Sequence, residues 1–457
     1  MRIDLVVRGG TVVLETGAFA ADVLVAGRRV VALAAHGAFD AGSARVIDAT
    51  GALVLPGGVD VHTHVGIQFG DFRTRDDFTS ATRAAAFGGT TSILEFAFPE
   101  PAETPETALR KRIGEATSRA WIDFGFHAAI AREADAAALA DIETAARMGA
   151  PSVKVFTAYR GIMMLELGDV LAVMSAAARA RCLVMVHAET ESLVERATAE
   201  LRRQGCSHAR HHALARPPMA ELDAARSVLE LARVSAAAVY LVHVTLPEVA
   251  GEISAARALG VRAYGETCPH YLLLDESVYE RRQPERYVCS PPLRPAASAR
   301  ALWRRLGAEL TGVHSDHCCF DGAQKGVHAG DSALVPPGLP GIETRIPLMV
   351  SEALRGRIPM TEVIRLCASE PARLFGMASK GSLLPGMDAD LVVIDPAARG
   401  QVSSLHMETD YSPFDGMELH GRVDTVVAGG TVLLQDGAWC GVEPAGRFIR
   451  RRRLRAA

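Results

Sequence analysis

Between residues 55 and 384 the chain alternates short apolar runs with longer helix-like stretches. Eight runs read as strands: GGVDVHTH, TTSILEFA, DFGFHAA, SVKVFTA, LVMVHAE, AVYLVHV, VRAYGET and GVHSDH. Stretches such as DAARSVLELARV and EVAGEISAARAL stand between them and carry the helical period. Strands and helices in strict alternation predict an α/β fold, a TIM (β/α)8 barrel. Polar residues stand near the strand ends: His62, Glu95, His127, Lys154, His187, His243, Glu266 and Asp316. Several intervals between them match the length of one βα unit. In such barrels the C-terminal strand ends carry the chemistry.

The two ends of the chain read differently. Residues 1–54 are short strands with tight turns (LVVRGGTVV, ADVLVAG, ARVIDAT), and ADLVVIDP and RVDTVVAGGTVLLQDG repeat the style near the C-terminus. The phrases RGGTVV and AGGTVL echo each other. These strands predict one β-sandwich built from both ends, with the barrel inserted between its halves. The expected division is 1–54 plus 385–445 for the sandwich and 55–384 for the barrel. The segment 446–457, GRFIRRRRLRAA, reads as a solvated basic tail. At 457 residues the chain exceeds one ordinary domain. Aromatics are only 5% while Ala and Gly are plentiful, which predicts tightly packed helices. A net charge of −4 gives no reason to expect a nucleic-acid partner. MRIDLVVRGG has no long apolar h-region, and no run approaches the length of a membrane span. No two of the eight cysteines form CxxC. A soluble, cytoplasmic protein with reduced thiols is expected.

His62-Thr63-His64 ends an apolar run, and side chains two apart on a strand point the same way. Two imidazoles aimed together can grip one metal ion, although such a pair is also found as ordinary polar residues. A single His closing a buried strand, as His187 or His243 does, is more often a satisfied core residue. Metal-type residues at the ends of five strands are harder to dismiss: His62 and His64, Lys154, His187, His243 and Asp316. All converge on the barrel mouth, and four His with one carboxylate suit Zn²⁺ or a similar divalent ion.

These residues sit in segments that resemble the cyclic amidohydrolases, most closely the dihydropyrimidinase/hydantoinase group. The segments are GGVDVHTHV, AAFGGTTSILEFAFP, SVKVFTAY, VMVHAET, YLVHVT, GETCPHYLLLD, CSPPLR, SDHCCF, GLPGIETR, ASEPARLFG and KGSLLPGMDADLVVID. The resemblance implies two divalent ions per subunit, zinc by preference. His62, His64 and Asp316 would hold the more buried one, and His187 and His243 the second. Lys154 would bridge them as a carbamate formed with CO₂. An ammonium beside two dications is disfavoured, so the amine loses its proton and can take up CO₂. Asp316 would carry the proton from the attacking water to the leaving nitrogen. Tyr159 resembles the oxyanion donor. Ser290 in CSPPLR resembles the residue whose backbone reads the ring amide. The implied partners are a small cyclic amide and other copies of the chain, as a homotetramer or homodimer.

Some positions depart from the pattern. Pro337 stands where many hydantoinases carry an Asn, and proline keeps a carbonyl but has no N–H. His270 in ETCPHYL and Trp303 in ALWRRL lean toward allantoinases, whereas SPPLR, KVFTAY and DYSPFDG lean back toward hydantoinases. Cys318 and Cys319 read as packing. The expected wall of the pocket is apolar: Ile67, Gln68 and Phe69, Phe96 and Phe98, and Ile162 to Leu165. The expected reaction is opening of a hydantoin or dihydropyrimidine ring to an N-carbamoyl amino acid. Allantoin opening is the nearest alternative and a metal-free scaffold the more distant one.

Overall fold

Seven of the eight apolar runs form unbroken parallel strands in the computed structural model, which describes residues 2–100, 103–131 and 133–455. They are β1 (Gly58–His64), β2 (Thr90–Ala97), β3 (Asp123–Ala129), β4 (Ser152–Phe156), β5 (Leu183–His187), β6 (Ala238–Leu241) and β7 (Ala263–Thr267). Each pairs with the next in chain order. The eighth run is split. Its first piece, β8 (Gly312–Val313), pairs with β7, and its second, β9 (His317–Cys318), pairs with β1. Both edges of the sheet are thus pieces of one chain segment, an order consistent with a TIM-type barrel. Strands covered on both faces read as continuous apolar runs, and β4 and β5 are buried throughout.

The helices between the strands begin and end where local chemistry directs. Asp77, Thr104 and Asp135 accept first-turn N–H groups at three helix starts. Gly149, at φ 102°, closes the helix Ala136–Met148. No helix among the described residues is long and apolar enough to cross a membrane.

The chain ends form two further sheets. Leu5–Arg8, Asp22–Ala26, Arg29–Ala34 and Arg45–Asp48 make a four-stranded sheet. A seven-stranded sheet joins both ends of the chain, with Leu391 of Leu391–Gln401 opposite Pro56 of Leu53–Pro56. Val7, Val23 and Ile47 of the smaller sheet share one buried cluster with Val54, Leu391 and Val427 of the larger. Lys380 ties these strands to the barrel. Its buried amine meets Asp123 at the start of β3 and Asp390 beside Leu391–Gln401, each at 2.6 Å.

The C-terminal segment is not the solvated appendage that its charge suggested. It crosses the N-terminal ends of β3, β4 and β5. Its backbone bonds Phe124, Gly149, Gly376 and Arg181 in turn. Ile449 and Leu454 pack against a buried cluster that includes Val59, Leu94 and Met185. Arg451 is 4% exposed and donates to Phe126 O and to Ser152 Oγ, and Arg453 pairs with Glu143 at 2.7 Å. Counting charges missed this because Phe448, Ile449 and Leu454 interrupt the arginines, and arginine stems cover apolar surface. Fully burying one such apolar side chain is worth about 1.5–3 kcal/mol. Truncation after Pro444 is therefore expected to lower the melting temperature by several degrees; a scanning-calorimetry midpoint equal to that of the full chain would show that the segment contributes nothing.

Candidate metal centre and active site

The C-terminal ends of the strands surround one cleft. It is lined by every residue to which the resemblance gives a metal, catalytic or substrate role: His62, His64, Lys154, Tyr159, His187, His243, Ser290, Asp316 and Pro337. Three of them hold left-handed backbone conformations, Tyr159 at φ 71°, His243 at φ 40° and Asp316 at φ 46°. Such a conformation costs a non-glycine residue roughly 1–2 kcal/mol and is found where surrounding structure imposes it. Asp316 lies in the break between β8 and β9, which turns its carboxylate toward β1.

Four imidazoles approach the cleft floor. His62 gives its Nδ1 proton to Glu266. Its Nε2 then faces Asp316 Oδ1 at 3.0 Å, and His64 Nε2 faces the same oxygen at 3.1 Å. On the other side His187 donates from Nε2 to Glu189 Oε2 at 2.9 Å, and its Nδ1 meets His243 Nε2 at 2.9 Å. The tautomers of His62 and His187 follow from the carboxylate each one meets, whereas His64 Nδ1 and His243 Nδ1 have no hydrogen-bond partner among the described residues. Nitrogen lone pairs aimed at a carboxylate oxygen, or at each other, repel unless a proton or a cation stands between them. His62, His64 and Asp316 offer ligand atoms all within 4.8 Å of one another. Imidazole nitrogen with carboxylate oxygen, with His62 braced by Glu266 behind it, fits a divalent ion.

The titration shifts reflect how closely these groups are crowded. Burial opposes charge on His62, but Asp316 and Glu266 raise its pKa to about 9. Burial also opposes charge on Asp316, and His62 and His64 nonetheless hold it well below the usual carboxylate range. Lys154 is 1% exposed, so it is no surface lysine. Its amine stands 5.1 and 5.0 Å from the ring centres of Phe96 and Phe156. Burial lowers its pKa to about 8, with Asp316 and Glu266 pulling the other way. Burial pushes the Tyr159 phenol up to about 12, so it stays a neutral donor.

Several contributors were not singled out from the sequence. Glu189 braces His187 and is clamped by Arg216, whose guanidinium carbon stands 5.2 Å from the Tyr159 ring centre. One ion pair thus supports both a metal-type histidine and the tyrosine. Glu191 accepts the Tyr159 N–H at 2.8 Å. Glu266, placed at a strand end by the sequence but given no role there, braces His62 and also takes the His243 N–H at 3.3 Å. Glutamates one or two residues past a strand-end His are the signal that could have found Glu189. By contrast, His127 bonds Ser152 Oγ at 2.6 Å and Val61 O at 2.9 Å as a satisfied core residue. Glu95 pairs with Arg112 at 2.8 Å, away from the cleft floor.

The wall is apolar but differs in detail from expectation. Ile67, Phe69, Phe98 and Met163 line the cleft, joined by Phe156 and Cys318. Cys318 therefore does more than pack. Gln68, Phe96 and Ile162 line an adjoining cleft instead, and Leu165 is buried. Gly338 lets the Pro337 loop close on β9, since a Cβ there would stand 2.5 Å from that of Cys318. His270 is buried in the short helix Pro269–Leu273, and Trp303 donates to Leu272 O at 2.9 Å. Neither lines the cleft.

The chain belongs to the amidohydrolase family, whose model matches residues 53–433. It is 37% identical to a D-hydantoinase of Streptomyces coelicolor over 98% of this chain and 97% of that one. The structure of a D-hydantoinase from a Bacillus species, strain AR9, superposes with a TM-score of 0.95 at 38% identity, covering 99% of this chain and 100% of that one. A dihydropyrimidinase from Brevibacillus agri matches with a TM-score of 0.95 at 36% identity, covering 99% of each chain.

Proposed function

We propose that this enzyme is a cyclic amidohydrolase that opens hydantoin or dihydropyrimidine rings to N-carbamoyl amino acids. The observation that carries the reading is the convergence, in one cleft, of four imidazoles and Asp316, with His62 Nε2 and His64 Nε2 on one Asp316 oxygen and His187 Nδ1 against His243 Nε2. Two divalent ions bound there, zinc by the chemistry of the donors, would polarise the ring carbonyl and lower the pKa of a water. His62, His64 and Asp316 would hold one ion, and His187 and His243 the other. A neutral Lys154 amine can take up CO₂ with release of a proton, and as a carbamate it would supply an anionic ligand for the ions. Asp316 accepts the proton of the attacking water and returns it to the leaving ring nitrogen. The Tyr159 phenol donates to the tetrahedral oxygen. The Ser290 backbone and the Pro337 carbonyl register the ring amide.

We also propose the (β/α)8 barrel for residues 55–384, a composite sandwich for 1–54 plus 385–445, a homotetramer, and a cytoplasmic location. The order of the parallel strands supports the barrel. The sheet joining both chain ends supports the sandwich.

The apolar wall favours a hydrocarbon or aryl substituent over the ureido group of allantoin. An unpaired buried polar group costs roughly 1–3 kcal/mol, which corresponds to a preference of about ten-fold or more. With Zn²⁺-loaded protein, 5-alkyl and 5-aryl hydantoins or dihydrouracil are expected to show a higher kcat/KM than allantoin. The highest kcat/KM on allantoin would instead establish an allantoinase.

A further inference from the structure

His317 follows Asp316, yet it points away from the cleft and is fully buried. Its Nδ1 accepts the Gly341 N–H at 3.2 Å, so its proton sits on Nε2, which donates to Asp76 Oδ2 at 3.1 Å. Asp76 Oδ1 takes the Glu408 N–H at 3.1 Å. The Asp76 carbonyl takes the Gly66 N–H at 2.9 Å, which closes the base of the loop 66–76. Within that loop Gln68–Phe69 and Phe72–Arg73 pair as a hairpin that carries Phe69 toward Tyr159, ring centres 5.9 Å apart. The Arg75 N–H reinforces the base by donating to Cys319 O at 2.7 Å. Gly341 belongs to the loop that carries Pro337.

We propose that His317 and Asp76 are positioning residues that lock two substrate-facing loops to the segment bearing Asp316. The Gly341 bond sets the loop that registers the ring. The Asp76 bond sets the hairpin that carries Ile67 and Phe69 of the substituent wall. Asp76, His317 and Cys319 also offer oxygen, nitrogen and sulfur within 4.8 Å of one another, the donor set of a metal site. The Gly341 N–H argues against one, because it occupies the Nδ1 lone pair and leaves Nε2 protonated. The proposal rests on the ring-opening reading for its kinetic test and on the hydrogen bonds alone for its physical test.

The two loops make different predictions. Asp76→Asn presents an amide to the Nε2 proton and loosens the hairpin. It is expected to raise KM for 5-phenylhydantoin about ten-fold, with KM for dihydrouracil close to wild type and kcat preserved on both. His317→Asn keeps an acceptor for Gly341 but loses the donor to Asp76, so it is expected to reproduce the same split. His317→Ala removes both bonds and is expected to raise KM for both rings. A merely structural role would lower activity on both substrates alike and leave their KM ratio unchanged in Asp76→Asn, which would overturn the proposal. Hydrogen exchange of the intact protein reads the hairpin whichever ring the enzyme opens. Faster exchange over 66–75 in Asp76→Asn is expected, and unchanged exchange there would overturn the proposal even if neither substrate is turned over. A third metal ion per chain, lost in Cys319→Ala, would overturn it in favour of a metal site.

Discussion

Lys154→Ala is expected to abolish ring opening and to strip metal from the protein. The amine is buried beside Phe96 and Phe156, where an ammonium is disfavoured, and the proposed pair of ions calls for an anion between them. Alanine leaves the imidazoles with no anion between the two halves of the site. The loss of rate is expected to exceed the roughly 10²–10⁴-fold that a missing acid–base group costs. Elemental analysis of the purified variant should find well below two ions per chain, and added short carboxylic acids should restore part of the activity. A bare amine at Lys154, seen by crystallography or intact mass in active metal-loaded enzyme, would refute the carbamate.

Asp316→Asn is the second large effect. The carboxylate lies 3.0 Å from His62 and 3.1 Å from His64, in a backbone conformation imposed by the break between β8 and β9. An amide keeps the shape but can neither accept the proton of the attacking water nor pass it on. A fall in kcat on the order of 10²–10⁴ is expected, with the melting temperature close to wild type. Near-normal kcat in this variant would remove Asp316 from the mechanism.

The barrel strands were legible because strands buried on both faces must be apolar, and their polar last residues stand out against that background. The same contrast brought His62, His64, Lys154, His187, His243 and Asp316 forward. What the chain does not show in one dimension is who faces whom. Glu189, fully buried, and Arg216, partly buried, form an ion pair behind His187 and Tyr159, yet as sequence they are two unremarked charges on separate segments. The left-handed backbone at His243 and Asp316 had no glycine to announce it. The C-terminal arginines were summed as charge, whereas the fold uses their stems and donors beneath the strands. Phe156 and Cys318 joined the wall because the strand ends converge, which spacing alone does not determine.

The central claim is that ring opening depends on metal held by these residues. The most direct test is a Zn²⁺ titration of chelator-stripped protein in bicarbonate buffer, with release of the N-carbamoyl amino acid from 5-phenylhydantoin followed at each point. The account predicts almost no product at the start and activity that saturates near two equivalents of Zn²⁺ per chain. Full activity in the stripped protein, or no ring opening at any Zn²⁺ level, would contradict it.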